Sequence, residues 1–262
     1  MPFITTIVDL QPGRSGVAVP GYPAQVIAAQ NHLAALAAVY PADGALFVMP
    51  GRSDLANLVP LQERDIGADR IFVAATTGTT RVTDGTVLGG LPRFLFGGTD
   101  IGLTANLDAA LTDYTAVILA RASNVSGAKF LLTVGSNGAT RTGIYINGDD
   151  LAVQHGTANV VSTTGTVVVA NAWVPVIVSY RNSDRAIQIF GGTTTPLFTG
   201  TIAASPPAEV VTAIGSLLTT SNPHVGEIAL CAIWRRVMHT DAAAMAALVN
   251  ALNGLIALPN AA

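Results

Sequence analysis

The chain has 262 residues, half of them hydrophobic and 11% charged, with a formal net charge of −3. Ordinary soluble domains carry about 25% charged residues, so Thr, Ser, Asn and Gly, or neighbouring subunits, must cover much of this surface; weakly charged surfaces associate. Twelve of the thirteen basic residues are Arg, Lys129 is the only Lys, and none of them line up as a stripe, which argues against nucleic-acid binding.

Residues 1–23 are broken by Pro12-Gly13, Pro20-Gly21 and Pro23, punctuation that opposes a regular element. The start lacks a basic stretch followed by a long apolar core, so no signal peptide is expected. No apolar run reaches the ~18 residues of a membrane span, so no membrane insertion is expected either. Val26, Ala29, Leu33, Leu36 and Tyr40 then recur at helical spacing. Pro23 suits the helix start and Pro41 its stop. Residues 1–40 thus read as an arm and helix serving attachment or packing, and 41–262 as the main domain. Between Gly44 and Gly90, 45–49 and 70–75 read as strands. The stretch between them reads as a loop with one helical turn, and Asp84-Gly85 as a turn.

From Arg93 onward strands crowd together, near 93–96, 100–104, 114–121, 129–135, 142–147, 150–154, 165–170, 173–180, 185–190, 197–202, 209–217 and 225–237. Asn147-Gly148-Asp149, Asn182-Ser183-Asp184 and Gly191-Gly192 supply tight turns. A spacing of about 8–12 residues marks an all-β sandwich or barrel. In 114–121, Val117 and Leu119 alternate with Ala116 and Ile118, so both faces are apolar and the strand belongs mid-sheet, covered on both sides. Cys231, the only cysteine, reads as a buried small hydrophobe in EIALCAIW. It leaves no intrachain disulfide and no sign of an oxidising compartment. A closing helix at about 240–256 follows: Thr240 as cap, Asp241 at its positive end, an apolar face of Met245, Leu248, Val249 and Leu252, and Asn253-Gly254 as the stop.

RFLFGGTDIGLTANLDAALTDYTAVILAR, through Phe96, Gly97, Asp100, Tyr114 and Thr115, resembles the opening of concanavalin A-like (laminin G-like) jelly-roll domains, with one extra residue between Gly97 and Asp100. AWVPVIVSYRNSDRAIQIF, with Trp173 and Tyr180, is similar to the family's central hairpin. VGEIALCAIWRRVMHTDAAAMAALVNALN is similar to its ending. The resemblance covers about residues 92–253. It implies an all-β, antiparallel two-sheet jelly-roll sandwich, here with an N-terminal arm and helix and a C-terminal helix. The family holds lectins, glycosidases, adhesion modules and bacteriophage virion proteins, so membership does not fix function.

Retaining glycoside hydrolysis needs two carboxylates ~5–5.5 Å apart. Hydrolases of the resembled family place them on one strand, close to Glu-x-Asp-x-x-Glu. The three glutamates here, Glu63, Glu209 and Glu227, are far apart in sequence. No catalytic residue is therefore nominated and no enzyme is expected; Glu227 is the residue whose loss would test the divergent hydrolase. His32, His155, His224 and His239 are dispersed, unlike zinc ligands, and read as surface or helix-end residues. The Gly-rich 85–98 stretch lacks GxGxxG and a following helix, so no nucleotide cofactor is expected. Asp100, Asp149 and Asp150 are the calcium candidates. They lack the Asp-x-Asp-x-Asp-Gly spacing, and the same residues also suit turn chemistry. Trp173 and Trp234 read as core, whereas Tyr22, Tyr40 and Tyr145 are freer to face a sugar. Asn124-Val-Ser126 matches a glycosylation sequon that has no secretion signal beside it.

The favoured expectation is a non-enzymatic structural or binding module of a large assembly, a bacteriophage virion protein (capsid decoration, head fibre or tail-associated). It would be made in the host cytoplasm, located in the virion, and partnered by other virion subunits and by itself as a homo-oligomer, for instance a trimer. The alternative is a carbohydrate-binding, lectin-like module or adhesin with a glycan partner. A divergent glycoside hydrolase is the remote alternative.

Overall fold

The computed structural model describes residues 28–29, 31–33, 35–36, 39, 44–48, 62–64, 71–74, 78–82, 87–88, 91–99, 101–135, 138–218 and 221–258. In chain order come helix α1, helical at 28–29, 31–33 and 35–36, then sixteen strands and a closing helix. The strands are β1 (Gly44–Val48), β2 (Gln62–Arg64), β3 (Ile71–Ala74), β4 (Thr80–Val82), β5 (Arg93–Gly97), β6 (Leu103–Asn106), β7 (Tyr114–Ala122) and β8 (Ala128–Val134). They continue with β9 (Thr142–Asn147), β10 (Asp150–His155), β11 (Asn159–Ser162), β12 (Trp173–Arg181), β13 (Ala186–Phe190), β14 (Phe198–Thr201), β15 (Val211–Ile214) and β16 (Val225–Trp234). The closing helix is α2 (Ala242–Ile256).

Sheet A runs β14-β13-β12-β7-β16-β5-β4, and β1 pairs with β16 beside the half of it that β5 leaves open. Sheet B runs β11-β10-β9-β8-β15-β6-β3-β2. Every pairing between these strands is antiparallel. The protein is thus a two-sheet antiparallel β-sandwich.

The alternation in β7 shows how the layers form. Ala116, Ile118 and Ala120 join Phe94, Phe96, Ile144, Ile146, Leu151 and Val153 in the core between the sheets. Val117 and Leu119 point the other way, into a second apolar layer with Ile177, Leu230, Ala232 and Trp234. Ala29, Leu33 and Leu36 of α1 cover that layer, together with Met245, Leu248, Val249, Leu252 and Leu255 of α2. Strands apolar on both faces are what a sheet between two covers requires. The expected helical face at Ala29, Leu33 and Leu36 is therefore spent on this chain's own sheet A. Val26, Tyr40 and the arm at 1–23 lie outside the described residues.

A polar bridge crosses the interior. His155, at the end of β10, bonds the Tyr114 hydroxyl through Nε2 (3.0 Å) and the Ala204 carbonyl through Nδ1 (2.8 Å). The Tyr180 ring meets it edge-on at 4.7 Å.

Four expectations are corrected. The strand placed at 165–170 lies instead at β11; the amides of Val167 and Val168 both bond the Asp149 carbonyl, so this valine-rich run crosses as a loop. β2 forms in the stretch expected to be a loop with one helical turn, and β4 just ahead of the turn expected at Asp84-Gly85, where no strand was expected. They are three-residue strands with no legible alternation, and each lies at a sheet edge. The cap of α2 is Asp241, whose carboxylate accepts from the Ala244 amide, in place of Thr240. Gly254 does not stop α2: the helix runs through it to Ile256, and the missing side chain makes room for the His32 ring of α1.

Candidate functional site

Helices cover the outer face of sheet A. Among the described residues no helix packs on the outer face of sheet B, and the candidate site is built there on β8, β9 and β10. Because Ile144 and Ile146 enter the core, Gly143, Tyr145 and Asn147 point outward, and Arg141 precedes them in the same alternation. The register sets Tyr145 beside Phe130 and Ala152, and Gly143 beside Gln154. A bulge between Phe130 and Leu132 adds a residue to β8, which lets Leu131 and Leu132 both reach the core while Phe130 stays outward.

Gly143 has a steric role. A Cβ there would meet Phe130 Cε1 at 2.6 Å, so the ring leans across the bare backbone. It stacks on Tyr145 with centroids 4.7 Å apart, and the Arg141 guanidinium rests over it at 5.2 Å. The Gln154 side-chain amide faces the Arg141 guanidinium, and in the amide orientation that satisfies both groups its oxygen accepts from Arg141 Nε and Nη2. Leu217, from the β15–β16 connection, closes over Phe130, Tyr145 and Ala152. That connection is pinned by Gly215 N to the Leu131 carbonyl, Thr133 Oγ1 to the Ser216 carbonyl, and Phe130 N to the Asn222 carbonyl. Burial pushes the Tyr145 phenol up, so it stays a neutral donor and acceptor. Burial also pulls the Arg141 guanidinium down, with Tyr145 opposing. The patch thus combines an aromatic pair, a half-buried cation, an amide, and the exposed Asn147 at the end of β9.

The other sequence candidates fall elsewhere. Asp100 lies outside the described residues. Asp149 accepts from Thr166 (2.9 Å) and Asp150 from Thr163 (3.2 Å) in the β9–β10 turn region. Among the described residues no three His, Cys, Asp or Glu side chains gather as a metal site. Glu227 sits on the outer face of sheet A, one oxygen 2.8 Å from Arg93 Nε and the other 2.6 Å from Arg121 Nη2. The carboxylate is thus neutralised between two guanidiniums as a structural ion pair. Ser179 Oγ lies 2.9 Å from His239 Nδ1, a pairing that elsewhere activates a nucleophile. Here the serine is fully buried, and its oxygen accepts from the Met238 and His239 amides and lies 2.9 Å from Thr115 Oγ1, so it fastens β12 to the chain leaving β16.

Two histidines overturn the surface reading. His155 and His224 are fully buried, and burial pushes both down to about 4. Tyr145 is also less free than expected: the residue is 7% exposed. Tyr22 and Tyr40 lie outside the described residues. Trp234 is core as expected, whereas Trp173 is half-buried at the rim of the outer apolar layer with Arg121 over it at 5.5 Å. Arg141, Gln154 and Phe130 escaped the sequence reading. Their available signal was period-2 alternation, with Arg141, Tyr145 and Asn147 on one side of β9.

No family model and no curated protein matches the sequence. Solved structures do. Trypanosoma rangeli sialidase in complex with sialic acid superposes with TM-score 0.58 at 14% identity, over 84% of this chain and 34% of that one. Domain 4 of an extracellular arabinanase from Geobacillus stearothermophilus, in complex with arabinotriose, gives TM-score 0.51 at 10% identity, over 78% of this chain and 98% of that one. The binding domain of botulinum neurotoxin serotype G gives TM-score 0.51 at 10% identity, over 79% and 50%. At such identities the likeness establishes the sandwich fold.

Proposed function

We propose that this chain is a non-catalytic glycan-binding β-sandwich whose contact surface is the outer face of sheet B around Arg141, Tyr145 and Asn147. The observation that carries the reading is the asymmetry of the two outer faces. One is filled by α1 and α2; the other carries an aromatic pair edged by a guanidinium, an amide and a phenol. The aromatic pair is buried beneath Leu217 and holds in place the half-buried Arg141 and the exposed Asn147, the polar groups that would meet a sugar. Support also comes from the near-complete overlap with a whole domain solved with arabinotriose. The engagement of Glu227 and Ser179 in structural contacts favours binding over turnover. A glycan array with the purified chain tests the reading. Saturable binding lost in Tyr145→Ala and kept in Trp173→Ala is expected; no binding to any glycan would refute it.

The second reading is a subunit of a large assembly, a bacteriophage virion component with copies of itself as neighbours. The 11% charge content favours it, as do the exposed Val160, Val169 and Leu197. Light scattering decides: a closed oligomer supports this role, and a strict monomer at high concentration removes it.

A further inference from the structure

We infer that Arg141 reads a carboxylate on the bound glycan, so that the site takes an acidic sugar in preference to a neutral one. This rests on the glycan-binding reading above.

Arg93, Arg121, Arg181, Arg235 and Arg236 each lie within ion-pair distance of a carboxylate. Among the described residues Arg141 has no such partner, although it is half-buried. Neutral groups hold it instead: the Gln154 amide oxygen at Nε and Nη2, and the Phe130 ring beneath. Its backbone is fixed as well, because the Arg141 carbonyl accepts from Gly156 at the end of the β9–β10 ladder (2.8 Å). Two of the five N–H donors of a guanidinium are thereby used, and three remain for a ligand. A planar fork held rigid, without a counter-ion, matches a carboxylate in bidentate fashion. The acid on the same outward alternation of β10 is Asp150. It pairs with Asn147 across the ladder, beyond Ala152, and accepts from Thr163, so it does not neutralise Arg141. The Tyr145 hydroxyl lies alongside as a neutral donor for the sugar's own hydroxyls.

The test is calorimetric titration of oligogalacturonate, oligoglucuronate and sialyllactose, each beside its methyl ester, with dextran sulfate as a further arm. The free acid of at least one pair should bind about tenfold tighter than its ester, the scale of one charge-assisted hydrogen bond. Arg141→Gln, checked for unchanged melting, should bring the acid and the ester of that pair to the same affinity. Equal affinity for acid and ester overturns the inference, as does a preference that survives in Arg141→Gln or binding confined to dextran sulfate. If neutral glycans bind without acid preference, the glycan reading stands and this inference falls. If no glycan binds in any arm, both fall.

Discussion

Acid should begin to destabilise this protein near pH 6.5, above the range where carboxylates titrate. Two imidazoles are sealed inside it. His155 is held between the Tyr114 hydroxyl and the Ala204 carbonyl. His224 stands against Phe96, ring centroids 5.9 Å apart, with the Glu227 and Arg121 backbones beside its ring. Burial lowers both from 6.5 to about 4. Below pH 6.5 the unfolded chain binds protons that the folded one refuses, so stability falls with pH. The loss ends near pH 4, where both states are protonated. A shift from 6.5 to 4 is worth about 3 kcal/mol per histidine, so the pair removes roughly 6 kcal/mol, comparable to the ~5–15 kcal/mol that holds a domain together. His239, half-buried and lowered too, acts in the same direction. Asp184, which Arg181 holds down to about 2, adds stability that is lost only below about pH 3.8, and so leaves the window clear. Urea unfolding at pH 7, 6, 5 and 4.5, followed by tryptophan fluorescence and far-ultraviolet circular dichroism, measures the slope. It should approach 3 kcal/mol per pH unit, two protons' worth, and should halve in His224→Leu. Stability that is flat from pH 7 to pH 5, or an undiminished slope in the variant, would refute the reasoning.

Three further outcomes follow. Gly254→Ala should destabilise by ~1–3 kcal/mol through the clash with His32, despite the ~1 kcal/mol that alanine gains over glycine in a helix. His32→Ala in the same chain should restore stability, and a stabilised single variant would disprove the contact. Glu227→Gln leaves Arg93, 2% exposed, without its carboxylate. The loss should be ~3 kcal/mol and lower the melting temperature by roughly 6–12 °C, whereas a change below about 1 °C in calorimetry would mean that the pair is inert. Millimolar calcium and EDTA should leave the melting temperature alike, because the Asp149 and Asp150 carboxylates are engaged by threonines; a calcium-dependent rise of several degrees would restore the metal site.

The sandwich was legible wherever a strand is long and lies inside a sheet. β7, β12 and β16 are nine or ten residues of nearly unbroken apolar sequence, because the core fills one face and the helices the other. The edge strands β2, β4 and β11 carry little of that signal, since a three- or four-residue strand at a rim buries almost nothing to set a pattern. The run at 165–170 misled for the opposite reason: valines suit strands, yet the Asp149 carbonyl captures the amides of Val167 and Val168. The end of α2 misled because glycine usually marks a helix stop, while here it answers to His32 on a distant segment. The candidate site was least legible. Arg141, Phe130 and Gln154 are unremarkable as a string, and only the pairing of β8, β9 and β10 brings them together. The two buried histidines belong to the same class, since a lone imidazole carries no sequence sign of being sealed in.

The most direct measurement is an amide chemical-shift titration of the folded chain with a glycan recovered from the array. Saturable shifts should appear along β8–β10, at Phe130, Arg141, Tyr145, Asn147 and Gln154, and spare α1 and α2. Shifts centred on Trp173 and Arg121, or on the helices, would place the binding face on the wrong sheet.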